Sequence, residues 1–270
     1  MFRPSLWCCF ALFALLLEGC SNLSPKTRYE YADRLTAEKN WQKLTIDTTL
    51  FPIQSYVSPI QTGDLLTLYI EGDGLAWISK TKVSSNPTPL NPIALKLALK
   101  DTGKVAYLAR PCQYLQNELC LKKYWTSDRF SPGVVSSMNQ AVSYLKNKEG
   151  AKKLVLVGYS GGGAIAALIA ARRNDVVKLI TVVGNLHHGL WTQLKGVSPL
   201  TGSLDAVDYW RELTDIPQLH LVGEKDAAVP LAVALSYQAV FPDQYKPVIQ
   251  LVPTYEHQCC WVDTWPKLIH

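Results

Sequence analysis

Ser160 stands in the run Gly158-Tyr159-Ser160-Gly161-Gly162, between an apolar stretch and an alanine-rich one. A serine hydroxyl is a weak nucleophile unless a base takes its proton and a third group orients that base. Two residues further along fit those roles. Asp226 comes three residues after Gly223 at the end of "IPQLHLVG", and His257 follows "KPVIQLV" after a short loop. The order serine, acid, base suits acyl transfer through a covalent acyl-serine, with His257 as base and Asp226 as its orienter. A glycine-rich phosphate loop or a plain tight turn is the rival reading of the serine segment. The lysine and hydroxyl pair that a nucleotide-binding loop needs is missing here.

The same chemistry needs amides to hold an oxyanion. The Gly161 N–H would open a helix, where the helix dipole favours negative charge. "LYIEGDGLAW" offers a second donor after an earlier apolar run: Asp73 N–H first, Gly74 next, with a plain tight turn as the other reading. Other candidates fit less well. Asp205, Asp208 and Asp215 lie in a loop-rich insertion, and Asp243 falls at the wrong end of a strand. Glu224 sits too close to its strand. His220 lies inside a strand and reads as core, while His187 and His188 could line a pocket or serve a turn. Trp77, Tyr159, Trp191 and Trp261 are candidates for an apolar wall.

These residues need a scaffold that brings distant strand ends together. From residue 105 onward, apolar runs of four to seven residues alternate with helical stretches: strands over 105–110, 153–158, 177–183, 218–223 and 247–252, helices over 132–148, 161–173 and 230–240, and a last helix near 261–269. Such alternation implies an α/β domain with a mostly parallel sheet covered on both faces. Two or three antiparallel strands should precede it, and "IALKLALKD" reads as a short helix after a proline-rich loop. The insertion over 185–216 is too short for more than a minimal lid. No repeat or composition break divides residues 41–270, so they form one domain.

The first residues carry a different signal. Arg3 precedes an apolar run from Leu6 to Leu17, too short for a stable membrane span, and then Leu17-Glu18-Gly19-Cys20. This resembles a bacterial lipoprotein signal over residues 1–19, with Cys20 diacylated, Ser21 favouring the outer membrane and residues 20–40 as a tether bearing one surface helix. An ordinary signal peptide or an uncleaved anchor is the alternative. Export would make Cys112 and Cys120 a local disulfide, worth roughly 2–3 kcal/mol in the chain-entropy model. Cys259 and Cys260 could be a vicinal bridge or two buried thiols, the thiols slightly favoured. No CxxC pair exists and His187 and His188 are adjacent, so no metal site is expected. The net charge of +5 is spread in pairs at most, which argues against nucleic acid as a partner.

With serine elbow, acid, base and glycine loop in order, residues 41–270 resemble the α/β-hydrolase superfamily, and within it exported bacterial hydrolase lipoproteins. "YIEGDGLAW", "YLARPCQYL" through "CLKKYWTSDRFS", "GYSGGGAIAALIAARR" and "GVSPLTGSL" carry the resemblance. It implies an eight-strand core, no cofactor, a Ser160–Asp226–His257 triad and a small acyl substrate of the carboxylester kind. A thioesterase, a peptidase or a non-catalytic binding lipoprotein would use the same scaffold. Two departures stand out: Glu71 takes the usual histidine position of the oxyanion loop, and two cysteines adjoin the base.

Overall fold

The computed structural model describes residues 24–269; the leader-like residues 1–19, Cys20 and His270 lie outside them. One sheet holds eight strands: β1 (Gln42–Asp47), β2 (Pro52–Val57), β3 (Leu65–Ile70), β4 (Val105–Leu108), β5 (Lys153–Tyr159), β6 (Val176–Val182), β7 (Gln218–Gly223) and β8 (Val248–Val252). Their spatial order is β1-β2-β4-β3-β5-β6-β7-β8. β1 pairs antiparallel with β2, and β2 antiparallel with β4. From β4 through β8 every pairing is parallel. The central strands are runs such as Leu154–Val157 and Leu179–Val182 because helices cover both their faces.

Each face has its own core. On one side pack α3 (Pro132–Lys148) and α4 (Gly161–Ala170), with Tyr237 of α6 (Leu231–Ala239). On the other pack α1 (Pro25–Ala37), α2 (Ile93–Ala98) and α7 (Trp261–Thr264). α3 starts where the Ser131 hydroxyl accepts a bond from Val134 N–H and Pro132 supplies a preset φ. Its buried Val134, Val135, Met138, Ala141, Val142 and Leu145 make the inward stripe of a 3.6-residue period. α4 is buried along its whole length, and its small side chains let it lie close on the sheet.

α1 is docked more firmly than a tether composition suggests. Ala32 is fully buried, the Tyr56 hydroxyl donates to Asp33 Oδ1 at 2.6 Å, and Arg28 reaches the carbonyls of Asn86 and Thr88. The insertion after β6 holds only α5 (His188–Lys195) and a 3₁₀ stretch, Ala206–Leu213, so any lid is minimal. In a parallel sheet the carboxyl ends of all strands open on one edge. Glu71, Ser160, Asp226 and His257 follow the ends of β3, β5, β7 and β8, which gathers them at that edge.

Candidate active site

Ser160 turns the chain from β5 into α4 with φ 52° and ψ −122°, a left-handed conformation that costs a non-glycine residue about 1–3 kcal/mol. Neighbouring backbone holds it there. Its N–H donates to Val182 O at 2.9 Å, and its carbonyl accepts from Gly163 N–H at 2.9 Å and Asn185 N–H at 3.1 Å. The glycines are steric necessities. A Cβ on Gly158 would come within 2.3 Å of the Gly162 carbonyl oxygen, and one on Gly162 within 2.3 Å of the Ile70 carbonyl oxygen.

The Ser160 hydroxyl lies 2.9 Å from His257 Nε2, and His257 Nδ1 lies 2.8 Å from Asp226 Oδ2. The other Asp226 oxygen accepts N–H bonds from Ala228 at 2.7 Å and Val229 at 2.9 Å. With Oδ1 so occupied, Oδ2 faces the imidazole and sets a tautomer with the proton on Nδ1. The Tyr159 hydroxyl donates to the His257 carbonyl at 3.0 Å, pinning the loop after β8 to the strand that carries the serine. A cavity of about 220 Å³ opens over these atoms, lined by the 71–75 loop, Pro89, Leu90, Asn91, Tyr159, Ser160, His257 and Gln258.

The loop after β3 supplies the far wall, and Glu71 organises it. This fully buried carboxyl accepts from Gly72 N–H at 2.9 Å and Ala94 N–H at 3.4 Å, and from the Tyr107 hydroxyl at 3.3 Å. Burial pushes its pKa up to about 7 against those bonds, which favour the ionised form. Because Gly72 N–H serves Glu71, the next amide becomes available. Among the described residues no acceptor meets the N–H of Asp73, Gly74 or Gly161. Gln113 Nε2 also donates to Gly72 O at 2.9 Å.

The Asp73 side chain turns back onto Gly161, where a Cβ would lie 2.1 Å from its Oδ1. Its carboxylate is neutralised by Arg129 at 2.6 Å and Arg110 at 3.4 Å, both buried. Desolvation lowers the Arg110 pKa to about 10, and Asp73 opposes that shift. Arg110 also donates to the Arg129 carbonyl, so the two arginines form one unit.

No protein-family profile and no curated protein matches the sequence. Solved structures do match the backbone. Est1E from Butyrivibrio proteoclasticus, with ferulic acid bound, superposes with a TM-score of 0.60 at 15% identity, over 83% of this chain and 95% of that one. Naproxen esterase from Bacillus subtilis gives 0.56 at 12% identity, covering 91% and 95%, and an esterase from Pyrococcus furiosus 0.57 at 12%, covering 87% of each. The fold is that of the α/β hydrolases. The eight-stranded, mostly parallel sheet with helices on both faces is what the likeness rests on.

Other candidates lie away from this pocket. His220 is buried in β7, bonded to Thr181 and Gln218, and burial drops its pKa to about 3. His187 pairs with Ser236, while Asp205 accepts the N–H groups of His188 and Gly189 at the start of α5, the turn role. Glu224 is exposed and accepts from Thr254 N–H; Asp243 pairs with Lys246. Of the four aromatics, only Tyr159 lines the cavity. Trp261 is fully buried beneath α7, Trp191 is tied to Ala228 O, and Trp77 is exposed on a hairpin.

Cys112 and Cys120 are joined, as expected. Cys259 and Cys260 are joined too, against the thiol reading. They occupy the surface loop between β8 and α7, Cys259 exposed, so no core packing holds them apart as thiols. Gln113 and the Arg110–Arg129 pair went unread. Only their place in the segment "ARPCQ" to "SDRFS" hinted at them, since neither forms a motif with the loop it supports.

Proposed function

We propose that this chain is a serine hydrolase that cleaves small carboxylic esters through an acyl-serine intermediate. His257 Nε2 takes the Ser160 proton as Oγ attacks the acyl carbon, and Asp226 steadies the imidazolium that forms. The carbonyl oxygen becomes an oxyanion between the amides of Gly161 and Asp73, with Gly74 N–H beside them. His257 then protonates the leaving alkoxide. Water, deprotonated by the same imidazole, attacks the acyl-serine and releases the acid. The Arg110–Arg129 pair cancels the Asp73 carboxylate, which would otherwise oppose the oxyanion. Burial raises the Glu71 pKa to about 7, so this loop support carries less negative charge near neutral pH than an ordinary carboxylate would.

The observation that carries this reading is the continuous row Ser160 Oγ–His257–Asp226 at 2.9 and 2.8 Å. The cavity, smaller than the roughly 300–1,000 Å³ usual for drug-sized ligands, favours a small acyl group. The sequence around Cys20 adds a lipid anchor on the cell envelope, outside the described residues. The test is a fluorophosphonate reaction on the folded protein, with the adduct located by mass spectrometry. One adduct on Ser160, together with ester hydrolysis that Ser160→Ala lowers on the order of 10⁴-fold or more, is expected. An unlabelled folded protein, or labelling that survives Ser160→Ala, would overturn the reading.

A further inference from the structure

The loop that walls the pocket continues outward into a small hairpin with an unusual surface. Trp77 bridges Val83, Ile78 N–H donates to Lys82 O at 2.8 Å, and Ser84 N–H closes the base on Ala76 O at 3.0 Å. That base is fixed, because buried Trp125 donates its indole N–H to Ser84 O. The tip is bare: Trp77 is 43% exposed, Ile78 53%, and residues 79–82 are exposed as well. Leu90, on the rim of the cavity, is another exposed large apolar side chain. Large apolar side chains left bare on a hairpin with a fixed base are a recognition feature rather than ordinary surface.

Charge points to one kind of partner. From Gly74 to Lys100 the chain has Lys80, Lys82, Lys96 and Lys100 and no acidic residue. Lys80 and Lys82 stand beside Trp77 and Ile78, and among the described residues neither has an ion pair. A tryptophan and an isoleucine followed closely by two lysines suit the headgroup zone of a bilayer. The aromatic ring settles there, and each lysine near an anionic surface adds about 1 kcal/mol.

The chain's own course brings this face to a membrane. Arg28 bonds at once to Ser24 O, at the start of the described chain, and to the carbonyls of Asn86 and Thr88. Thr88 immediately precedes the rim residues Pro89 and Leu90, and Leu75 N–H bonds Pro87 O on the pocket side. Cys20 is four residues before Ser24, and four residues span at most about 14 Å. Whatever holds Cys20 or the apolar run before it in lipid therefore holds the pocket rim within reach of the same surface.

We infer that the face formed by the Trp77–Val83 hairpin and the rim residue Leu90 docks on an anionic phospholipid bilayer, so that the Ser160 pocket opens at the membrane surface. The inference rests on the N-terminal anchor given above and not on hydrolysis. The test reconstitutes the full chain in vesicles of phosphatidylethanolamine and phosphatidylglycerol, with a nitroxide at Ile78→Cys or, as reference, at Val177→Cys. Val177 is exposed near the start of β6, at the opposite edge of the sheet. The signal of the parent chain treated alike is subtracted, and circular dichroism checks that both variants fold.

Docking predicts a ratio of oxygen to aqueous nickel-chelate relaxation several-fold higher at 78 than at 177, falling toward the reference when Lys80→Glu and Lys82→Glu are added. Equal, aqueous values at both positions overturn it. So does a label at 78 shielded from both relaxants, which would mean a protein partner or a second copy there. A chain that fails to float with the vesicles overturns anchor and docking together. None of these readouts requires Ser160 to react, so a chain inactive toward every ester would still answer the question.

Discussion

Ser160 is held between two walls built on different physics. On the elbow side, α4 approaches β5, the end of β3 and the end of β6 so closely that backbone meets backbone, and Gly158, Gly162 and Gly163 exist because nothing larger fits. On the other side, the 71–74 loop is held by side chains from distant segments: Glu71 on the first turn of α2, Asp73 on Arg110 and Arg129, Gln113 on Gly72 O. Hard-core contact is indifferent to pH and salt. A buried carboxyl and a buried ion cluster are not, since each depends on keeping its partners and its protonation state. The first wall should therefore break by volume and the second by charge.

The largest effect belongs to volume. Gly162→Ala places a methyl 2.3 Å from Ile70 O and 2.5 Å from Glu71 O, and both are backbone atoms of β3 and its loop that cannot swing aside. Overpacking of this kind costs about 3 kcal/mol or more. The urea midpoint should drop steeply, and any folded fraction should react poorly with fluorophosphonate. Gly150→Ala is the matched control. It has φ +61° with open space around it, so only left-handed strain of about 1–2 kcal/mol applies. Equal midpoints for the two variants would show that close approach at the elbow is not what fixes it.

Charge gives the next effect. Glu71 has a folded pKa near 7 against an ordinary value of 4.5, so the folded state keeps a proton that the unfolded chain releases first. Between those two values the folded state binds more protons, and stability falls as pH rises. Below about 4.5 the residue contributes nothing to this slope; above about 7 its full cost, roughly 3 kcal/mol, is present. Glu71→Gln keeps an acceptor for Gly72 N–H and a donor for Tyr107 but cannot ionise. Melting temperatures of variant and wild type should converge near pH 4.5 and diverge in the variant's favour up to pH 8. A constant difference across that range would mean Glu71 is ionised throughout and the loop is held by charge alone.

The same contrast explains what could be read from the residues in order. The elbow was legible because its constraints are local: a strand, a tight turn and a small-residue helix occupy one continuous run from Lys153 to Ala170. Asp226 and His257 were legible because each follows a strand whose apolar pattern is plain, and a parallel sheet fixes which end they reach. The loop wall was half legible. Gly72, Asp73 and Gly74 marked a turn, but its supports come from residues 23 to 56 positions away, at separations no spacing rule links. Trp261 failed as a pocket residue for the complementary reason. An aromatic beside the base looks functional in one dimension, while in three it turns under α7 into the core.

Tyr159 joins the two walls, and its hydroxyl gives the smallest and most diagnostic effect. Its ring closes over Gly72, where a Cβ would meet Tyr159 Cδ1 at 3.0 Å, and it packs 5.5 Å from the His257 ring. Its hydroxyl alone spans to the base loop, donating to His257 O. Tyr159→Phe keeps the ring and removes that one bond, worth about 1 kcal/mol. Since Asp226 still orients the imidazole, the tautomer is retained and only the loop's position loosens. The rate of fluorophosphonate inactivation should fall about fivefold, with KM for a small ester unchanged. A rate equal to wild type would mean that Asp226 fixes His257 unaided. A loss as large as that of an Asp226→Ala variant would instead make the base loop, rather than the elbow, the mobile partner of the pair.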